Sequence, residues 1–183
     1  RLMKYKPDII TFSGDKLIGG PQSGILVGKK SIIGKFQKNT LYRTLRPDKL
    51  TIALLEETLR SYNINSFSED NLSLSLLSSS QSILKARGEK VMNLIKKSML
   101  KNYNIKLIES EVEAGSGSLP EKKISSMAIV FKSKTKKCSS LAEKFRTGRI
   151  PVAGFIKNDK FYIDLKAVLP NQLIKLSKAI NSV

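Results

Sequence analysis

One lysine of this 183-residue chain stands where an apolar segment ends and a glycine-rich stretch begins. Residues 9–12 are mostly apolar, and the small and polar residues 13–15 connect them to Lys16. A glycine-rich stretch then leads to a second apolar run at 25–27. An amine presented at a strand end by a tight loop can form a Schiff base with the carbonyl group of a cofactor. Glycine lets such a loop adopt positive φ and lets a bulky ring approach the backbone. Most lysines are solvated surface residues, so the surroundings of Lys16 are what indicate chemistry.

The elements around this loop must position the lysine. The apolar runs at 9–12 and 25–27 predict short strands in the centre of a sheet. Residues 31–38 predict a short helix with Ser31 as its N-cap, and Pro47 and Asp48 predict the start of a stronger helix that reaches about Tyr62. The apolar face of this second helix is expected to comprise Leu50, Ala53, Leu54 and Leu59.

A polar break at residues 63–71 predicts a domain boundary, which we place between residues 72 and 73. Residues 72–82 are rich in serine and leucine and are expected to form a packed connector. The second domain is expected to contain a long helix over 82–103, interrupted at Gly88. Strands are predicted at 105–112 and 126–131. The intervening residues 115–120 predict a loop, which either reaches the mouth of an active site or only connects the strands.

Helices and strands are also expected to follow one another in the remainder of the second domain. A charged turn is predicted at 132–137, a helix at 139–146, a hairpin from 152–156 and 160–165 that turns at Asn158 and Asp159, and a closing amphipathic helix at 170–180. Strands interleaved with helices predict an antiparallel sheet with helices against one face.

The single cysteine, Cys138, precedes an amphipathic segment and is interpreted as structural. A lone cysteine allows no intramolecular disulfide and fits a reducing cytoplasm.

Charge is the second strong feature of the chain. Its 33 basic and 15 acidic residues give a formal net charge of +18. Such a surface attracts polyanions, above all nucleic acid, although a lysine-rich composition can also merely solvate helix faces. No recognised RNA-binding motif is visible, so binding would be a property of the surface.

The chain shows no long apolar run, and residues 1–8 have no signal-peptide pattern. The chain has no histidine and one cysteine, so it lacks the usual ligand set of a zinc site and the histidine of a Ser-His-Asp triad.

Residues 13–28 closely resemble the cofactor-lysine segment of the bacterial selenocysteine synthase family, the L-seryl-tRNA(Sec) selenium transferases. Residues 42–51 look like the arginine-bearing segment of that family, and residues 53–62, 115–120 and 151–154 resemble its later landmarks in the same order. The resemblance implies pyridoxal 5'-phosphate as cofactor. It also implies an α/β fold in which residues 1–72 are the tail of a fold type I (aspartate-aminotransferase-like) large domain. Residues 73–183 are then a small C-terminal α/β domain with an antiparallel sheet.

The resemblance implies roles for five side chains. Lys16 carries the cofactor and, once displaced, transfers protons, while Ser13 and Gln22 orient the lysine or the cofactor phosphate. Arg43 and Arg46 bind substrate, because a planar guanidinium can clamp a phosphate-like oxyanion such as selenophosphate. Their other interpretation is as surface arginines ahead of a helix. A family position that often holds arginine is Phe155 here, which leaves no guanidinium at that position for a free carboxylate.

The implied reaction converts seryl-tRNA(Sec) to selenocysteinyl-tRNA(Sec) with selenophosphate, catalysed by a cytoplasmic homo-oligomer without membrane association. The upstream cofactor contacts of fold type I enzymes have no match in this sequence. The chain is therefore expected to be an incomplete C-terminal portion that is inactive alone. Two alternatives stay open: another fold type I lyase acting on a free amino acid, and a non-enzymatic basic RNA-binding domain.

Overall fold

The computed structural model describes residues 2–64, 71–114, 119–133 and 137–183. The chain divides into two compact units, Arg1–Ser75 and Leu76–Val183. The division lies inside a helix, because residues Leu72–Ser78, which begin the expected connector, are helical. The boundary expected between residues 72 and 73 falls within this same helix.

The first unit combines a β-hairpin with short helices. Strands β1 (Ile9–Ser13) and β2 (Gly24–Gly28) pair in antiparallel fashion, with Phe12 opposite Ile25. A 3-10 turn at Leu2–Tyr5 precedes β1. The helices that follow the hairpin are α1 (Lys30–Gln37), α2 (Thr40–Thr44), α3 (Lys49–Asn63) and α4 (Leu72–Ser78).

One of the two helix starts predicted for this unit is confirmed by the structure, and the other is not. The predicted start of α3 at Pro47 and Asp48 is confirmed, and Asp48 is its N-cap, since the Asp48 carboxylate accepts a hydrogen bond from the Thr51 amide over 2.9 Å. This bond lowers the pKa of the Asp48 carboxyl below its ordinary value. The prediction of Ser31 as N-cap of α1 is wrong. Lys29 occupies that position without a side-chain cap, so the helix begins before Ser31.

The expectation that β1 and β2 are central strands is also wrong for the described residues. The two strands form a sheet of their own. Leu26 and Val27 keep 44% and 52% of their surfaces exposed. A strand is buried on both faces only where other layers cover it, and the described part of the first unit supplies no such layers.

The predicted apolar face of α3 is likewise exposed. Leu50 and Leu54 are 77% and 59% exposed, and the helix has no fully buried residue. The half-buried side chains follow a different stripe, Thr51, Leu55, Thr58 and Tyr62, with Ser61 beside it. Gly20 of the hairpin loop lies against this stripe, because a methyl group added there would meet Leu55 Cδ1 and Thr58 Oγ1 at 3.4 Å. The mainly polar side of α3 therefore contacts the loop.

The second unit contains the predicted antiparallel sheet. Its strands are β3 (Tyr103–Ala114), β4 (Leu119–Ser133), β5 (Phe155–Lys157) and β6 (Lys160–Asp164), in the spatial order β3-β4-β6-β5. All three pairings are antiparallel. Asn158 and Asp159 join β5 to β6 with φ values of 50° and 53°. Positive φ at both central residues is the geometry of a tight hairpin turn, so the predicted hairpin is confirmed.

β4 is longer than predicted. Leu119 and Pro120, expected in a loop, begin the strand, and Lys132 and Ser133, expected in a charged turn, end it. The last two lie opposite Asn104 and Tyr103 of β3. Pairing along β3 therefore overrides the polar local composition. The rest of the predicted loop and turn, residues 115–118 and 134–136, lies outside the described residues.

The single long helix predicted over 82–103 is two helices. α5 (Gln81–Asn93) and α6 (Lys97–Asn102) are separated after Leu94, and Gly88 is not the interruption. Gly88 is buried inside α5, where an added Cβ would lie 2.4 Å from Leu107 Cδ1. The missing side chain lets α5 approach the sheet closely.

A distant side chain holds the break between these helices. Asn181 Nδ2 donates to the Leu94 carbonyl over 2.8 Å, and Asn181 Oδ1 accepts from the Lys96 amide over 2.8 Å.

The remaining helices are α7 (Cys138–Thr147) and α8 (Leu173–Ile180), the latter preceded by a 3-10 turn at Pro170–Gln172.

One face of the sheet and these helices enclose the core of the second unit. The rings of Phe131, Phe145 and Phe161 meet at its centre, with centroids 5.1 Å apart for Phe145 and Phe161. Cys138 is buried, and its thiol donates to the Asp159 carbonyl over 3.0 Å. The α/β class with antiparallel sheets is thus confirmed. None of the helices in the described ranges has the length and apolar character needed to cross a bilayer.

Candidate active site

Backbone hydrogen bonds close the loop that carries Lys16. The Gly14 amide donates to the Ser23 carbonyl over 2.9 Å, directly beyond the last residue pair of the hairpin. The Gly20 amide donates to the Gly14 carbonyl over 2.8 Å, and the Gly19 amide donates to the Lys16 carbonyl over 3.0 Å. The backbone of this turn is therefore tied at several points, while the Lys16 side chain is exposed.

Two glycines are required by the shape of this loop. Gly19 has φ of +73°, a conformation that side-chain-bearing residues rarely adopt. At Gly14, an added Cβ would lie 2.3 Å from Ser23 Oγ and 2.8 Å from the Pro21 carbonyl oxygen. The glycine-rich composition thus reflects one unusual backbone angle and one close approach.

Two distant side chains anchor the loop through a single carbonyl group. The Ile18 carbonyl accepts hydrogen bonds from Asn71 Nδ2 over 2.8 Å and from Tyr62 Oη over 3.0 Å. Asn71 is buried, and its Oδ1 accepts from the Leu74 amide over 3.2 Å. The end of α3 and the start of α4 therefore hold the segment that follows Lys16.

Neither anchor could be predicted from the sequence. Tyr62 belongs to a mostly polar stripe of α3, and Asn71 is the last residue of the polar stretch 63–71. They lie 44 and 53 positions from Ile18 along the chain. Burial raises the pKa of the Tyr62 phenol above its ordinary value, so the phenol keeps its proton as the hydrogen-bond donor in neutral solution.

The predicted site residues lie in two neighbouring stretches of the first unit. Ser13 ends β1 and Gln22 lies in the same turn as Lys16, whereas Arg43 belongs to α2 and Arg46 to the segment between α2 and α3. All five side chains are exposed. Within the described ranges, no two of them are joined by a hydrogen bond or an ion pair. The structure places three of them, Ser13, Lys16 and Gln22, at the loop that joins β1 to β2.

The amine of Lys16 and the guanidinium groups of Arg43 and Arg46 are all accessible to solvent. No described carboxylate forms an ion pair with Lys16, Arg43 or Arg46. An exposed primary amine can condense with a carbonyl group, and a guanidinium can bind an oxyanion through paired N–H donors. The site thus offers an amine on an anchored turn and cationic groups on the following helical segment.

Comparison with known proteins places this chain in a family of transferases. The family model described as L-seryl-tRNA selenium transferase matches residues 2–169. The L-seryl-tRNA(Sec) selenium transferase of Aliarcobacter butzleri is 37% identical over 187 aligned positions, which include 100% of this chain and 39% of the relative. That of Desulfotalea psychrophila is 30% identical over 94% of this chain and 37% of the relative. The chain belongs to the L-seryl-tRNA selenium transferase family.

The match covers only part of each relative. The enzyme of Clostridium botulinum strain Hall is 35% identical over 88% of this chain but 35% of its own length. The chain thus spans well under half the length of the curated relatives it matches, as expected from the sequence.

Proposed function

We propose that this chain is part of an enzyme that converts seryl-tRNA(Sec) to selenocysteinyl-tRNA(Sec), with selenophosphate as the selenium donor. The observation that carries the proposal is Lys16, an exposed amine on an anchored, glycine-shaped turn, in a chain that belongs to this family. On this proposal residues 1–72 are the tail of a fold type I large domain and residues 73–183 are its small C-terminal domain. The whole protein then acts in the cytoplasm as a homo-oligomer.

The residues of the loop fit pyridoxal 5'-phosphate. Lys16 supplies the amine that joins the cofactor carbonyl, and its exposed side chain is accessible to an incoming ring. Ser13 and Gln22 place a hydroxyl and an amide on the same loop, where they can orient the lysine or the cofactor phosphate. When bound, the cofactor supplies an electron sink for the loss of the α-proton and of the side-chain hydroxyl.

The chain's own groups carry the other parts of the proposed chemistry. The Lys16 Nζ atom would hold the cofactor and is the group of this chain that would take up and return the α-proton of the substrate. The chain has no histidine that could share this role. Arg43 and Arg46 bind the selenophosphate oxyanion, for which a bidentate guanidinium is suited. The ordered turn keeps the Lys16 backbone in place while its side chain moves between these tasks.

The first test locates the reactive lysine. Full-length protein is incubated with pyridoxal 5'-phosphate and reduced with borohydride, and the modified peptide is mapped by mass spectrometry. A pyridoxyl group on Lys16 is expected. It should be absent from Lys16→Gln and retained in Lys35→Gln, which removes another exposed lysine of the first unit. Adducts scattered over surface lysines would contradict the proposal.

The second test separates the proposed substrate from that of a free-amino-acid lyase. Full-length protein is supplied with selenophosphate and either seryl-tRNA(Sec) or free serine. Selenium incorporation is expected only with the acylated tRNA. Arg43→Lys and Arg46→Lys keep the charge but lose the bidentate geometry, so the KM for selenophosphate should rise by about tenfold, corresponding to about 1.4 kcal/mol. Turnover of free serine at a comparable rate would favour the lyase instead.

A further inference from the structure

The second unit carries a cluster of lysines and aromatic rings on the sheet face opposite its core. Side chains alternate between faces along a strand, so Val130 and Tyr162 point away from the core residues Phe131 and Phe161. Val130 lies between Lys106 of β3 and Tyr162 of β6, and Tyr162 lies opposite Phe155 of β5. We use the name aromatic-lysine patch for Phe155, Tyr162, Lys106, Lys132, Lys157 and Lys160.

The two rings of the patch form a stack. The centroids of Phe155 and Tyr162 are 5.0 Å apart, and the ring planes differ by only 9°. Phe155 lies at the edge strand and is 43% exposed. One face of its ring is therefore occupied by Tyr162, and the stack can be extended on the exposed side by another flat ring.

The lysines of the patch are not neutralised. Lys157 and Lys160 are directly opposite each other across the β5–β6 hairpin, an arrangement of like charges that costs stability. Within the described residues, no lysine of the patch forms an ion pair. Asp164 on the same face is already bound, because its two carboxylate oxygens accept from the Ser110 and Ser126 hydroxyls over 2.7 and 2.6 Å.

The acidic side chains of β3 lie on the other face of the sheet. By strand alternation the exposed Glu109, Glu111 and Glu113 of β3 point to the core side, whereas Lys106 points to the patch side. The second unit as a whole has 21 basic and 8 acidic residues, a formal charge of +13. The second unit is thus strongly basic, and the patch contributes four of its positive charges on the sheet face where the aromatic stack lies.

We infer that the aromatic-lysine patch binds an unpaired stretch of RNA. A base stacks on the exposed face of Phe155, and the lysines contact the backbone phosphates on either side. Stacking needs a base free of its partner, which distinguishes this patch from a surface that merely attracts a charged duplex. The inference deepens the proposed function and rests on it for the identity of the RNA, since the proposed substrate is carried on a tRNA.

Fluorescence anisotropy of the full chain with a short labelled single-stranded RNA and with a fully paired RNA hairpin tests this inference. Phe155→Leu should weaken single-strand binding by about fivefold, the change expected from losing one stacked base, and should change hairpin binding less than twofold. Phe155→Tyr should restore single-strand binding. Ile174→Ala, which alters an exposed apolar residue of α8, is the control and should leave both affinities unchanged.

A pair of double variants tests the lysines at equal net charge. Lys157→Gln with Lys160→Gln should weaken single-strand binding and make its salt dependence shallower, by about one unit of log–log slope per lost phosphate contact. Lys175→Gln with Lys178→Gln removes two exposed lysines of α8 and should have a clearly smaller effect. Equal losses in both double variants, or full single-strand affinity in Phe155→Leu, would overturn the inference. Neither readout depends on Lys16, so the patch and the proposed chemistry succeed or fail separately.

Discussion

Asn71 Nδ2 donates a hydrogen bond to the carbonyl oxygen of Ile18 over 2.8 Å, across 53 positions of sequence. This contact attaches the start of α4 to the turn that presents Lys16. A buried amide that bonds a backbone carbonyl stabilises one loop conformation, because losing the bond leaves the carbonyl without that partner. The position of the candidate catalytic lysine therefore depends on a residue far from it in sequence.

Removal of the Asn71 amide should loosen the lysine loop. Asn71→Ala is expected to speed hydrogen exchange of the Gly19 and Gly20 amides by about fivefold, corresponding to about 1 kcal/mol for a lost hydrogen bond. Tyr62→Phe, which removes the second donor to Ile18, should act in the same direction. Exchange is measured by NMR or mass spectrometry, with the exposed Asn93→Ala as control. Unchanged exchange in both loop variants would show that the carbonyl needs neither donor.

Gly19 and Gly34 should respond to alanine in opposite ways. Gly19→Ala is expected to cost about 1–2 kcal/mol of unfolding free energy because its φ is +73° and its new Cβ would lie 2.0 Å from Asn71 Nδ2. Gly34→Ala lies inside α1 with nothing within 4 Å of the new Cβ. It should stabilise by up to about 1 kcal/mol, since alanine favours the helix. Urea denaturation of the two variants checks the difference, and equal effects would refute the loop geometry.

A side chain at Gly88 should separate α5 from the sheet. Gly88→Ala is expected to destabilise the second unit by about 1–3 kcal/mol, because the new methyl group would overlap Leu107 Cδ1 and Leu165 Cδ1. Leu107→Ala creates space, so the double variant should lose less than the sum of the two single changes. Chemical denaturation of all four proteins gives this coupling energy. Additive losses would mean that Gly88 and Leu107 do not compete for the same space.

The start of α3 should weaken in acid. The Thr51 amide holds the pKa of Asp48 below its ordinary value of 3.8, so the cap contributes stability above about pH 3.8 and loses it as pH falls through the lowered pKa. The Thr51 amide chemical shift should titrate in this range. Asn at the cap has no charge to lose, and Asp48→Asn should abolish the titration while keeping the helix start. A shift that titrates equally in Asp48→Asn would place its cause elsewhere.

Local chemistry explains the features that could be predicted from the sequence. The carboxylate of Asp48 caps the helix that follows it, and Asn158 and Asp159 adopt the positive φ that their hairpin requires. The succession of strands interleaved with helices in the second unit predicted its antiparallel sheet, and the pairings of the four strands confirm it. The residues around Lys16 also indicated the family, since their order is specific to it.

Contacts between distant segments explain the features that could not be predicted. The break after Leu94 depends on Asn181, and the extension of β4 depends on its pairing with β3. The apolar pattern of α3 predicted the wrong face, because a pattern shows which residues can be buried and not which neighbour covers them.

The sequence by itself determined the kind of loop that carries Lys16, the capped and turned ends of several elements, and the family. Each of these depends on residues within a few positions of one another. Only the tertiary structure decided that Tyr62 and Asn71 hold that loop and that Phe155, Tyr162 and four lysines form one patch. Such groupings arise when chain folding brings separate segments together, and no local propensity encodes which segments will meet.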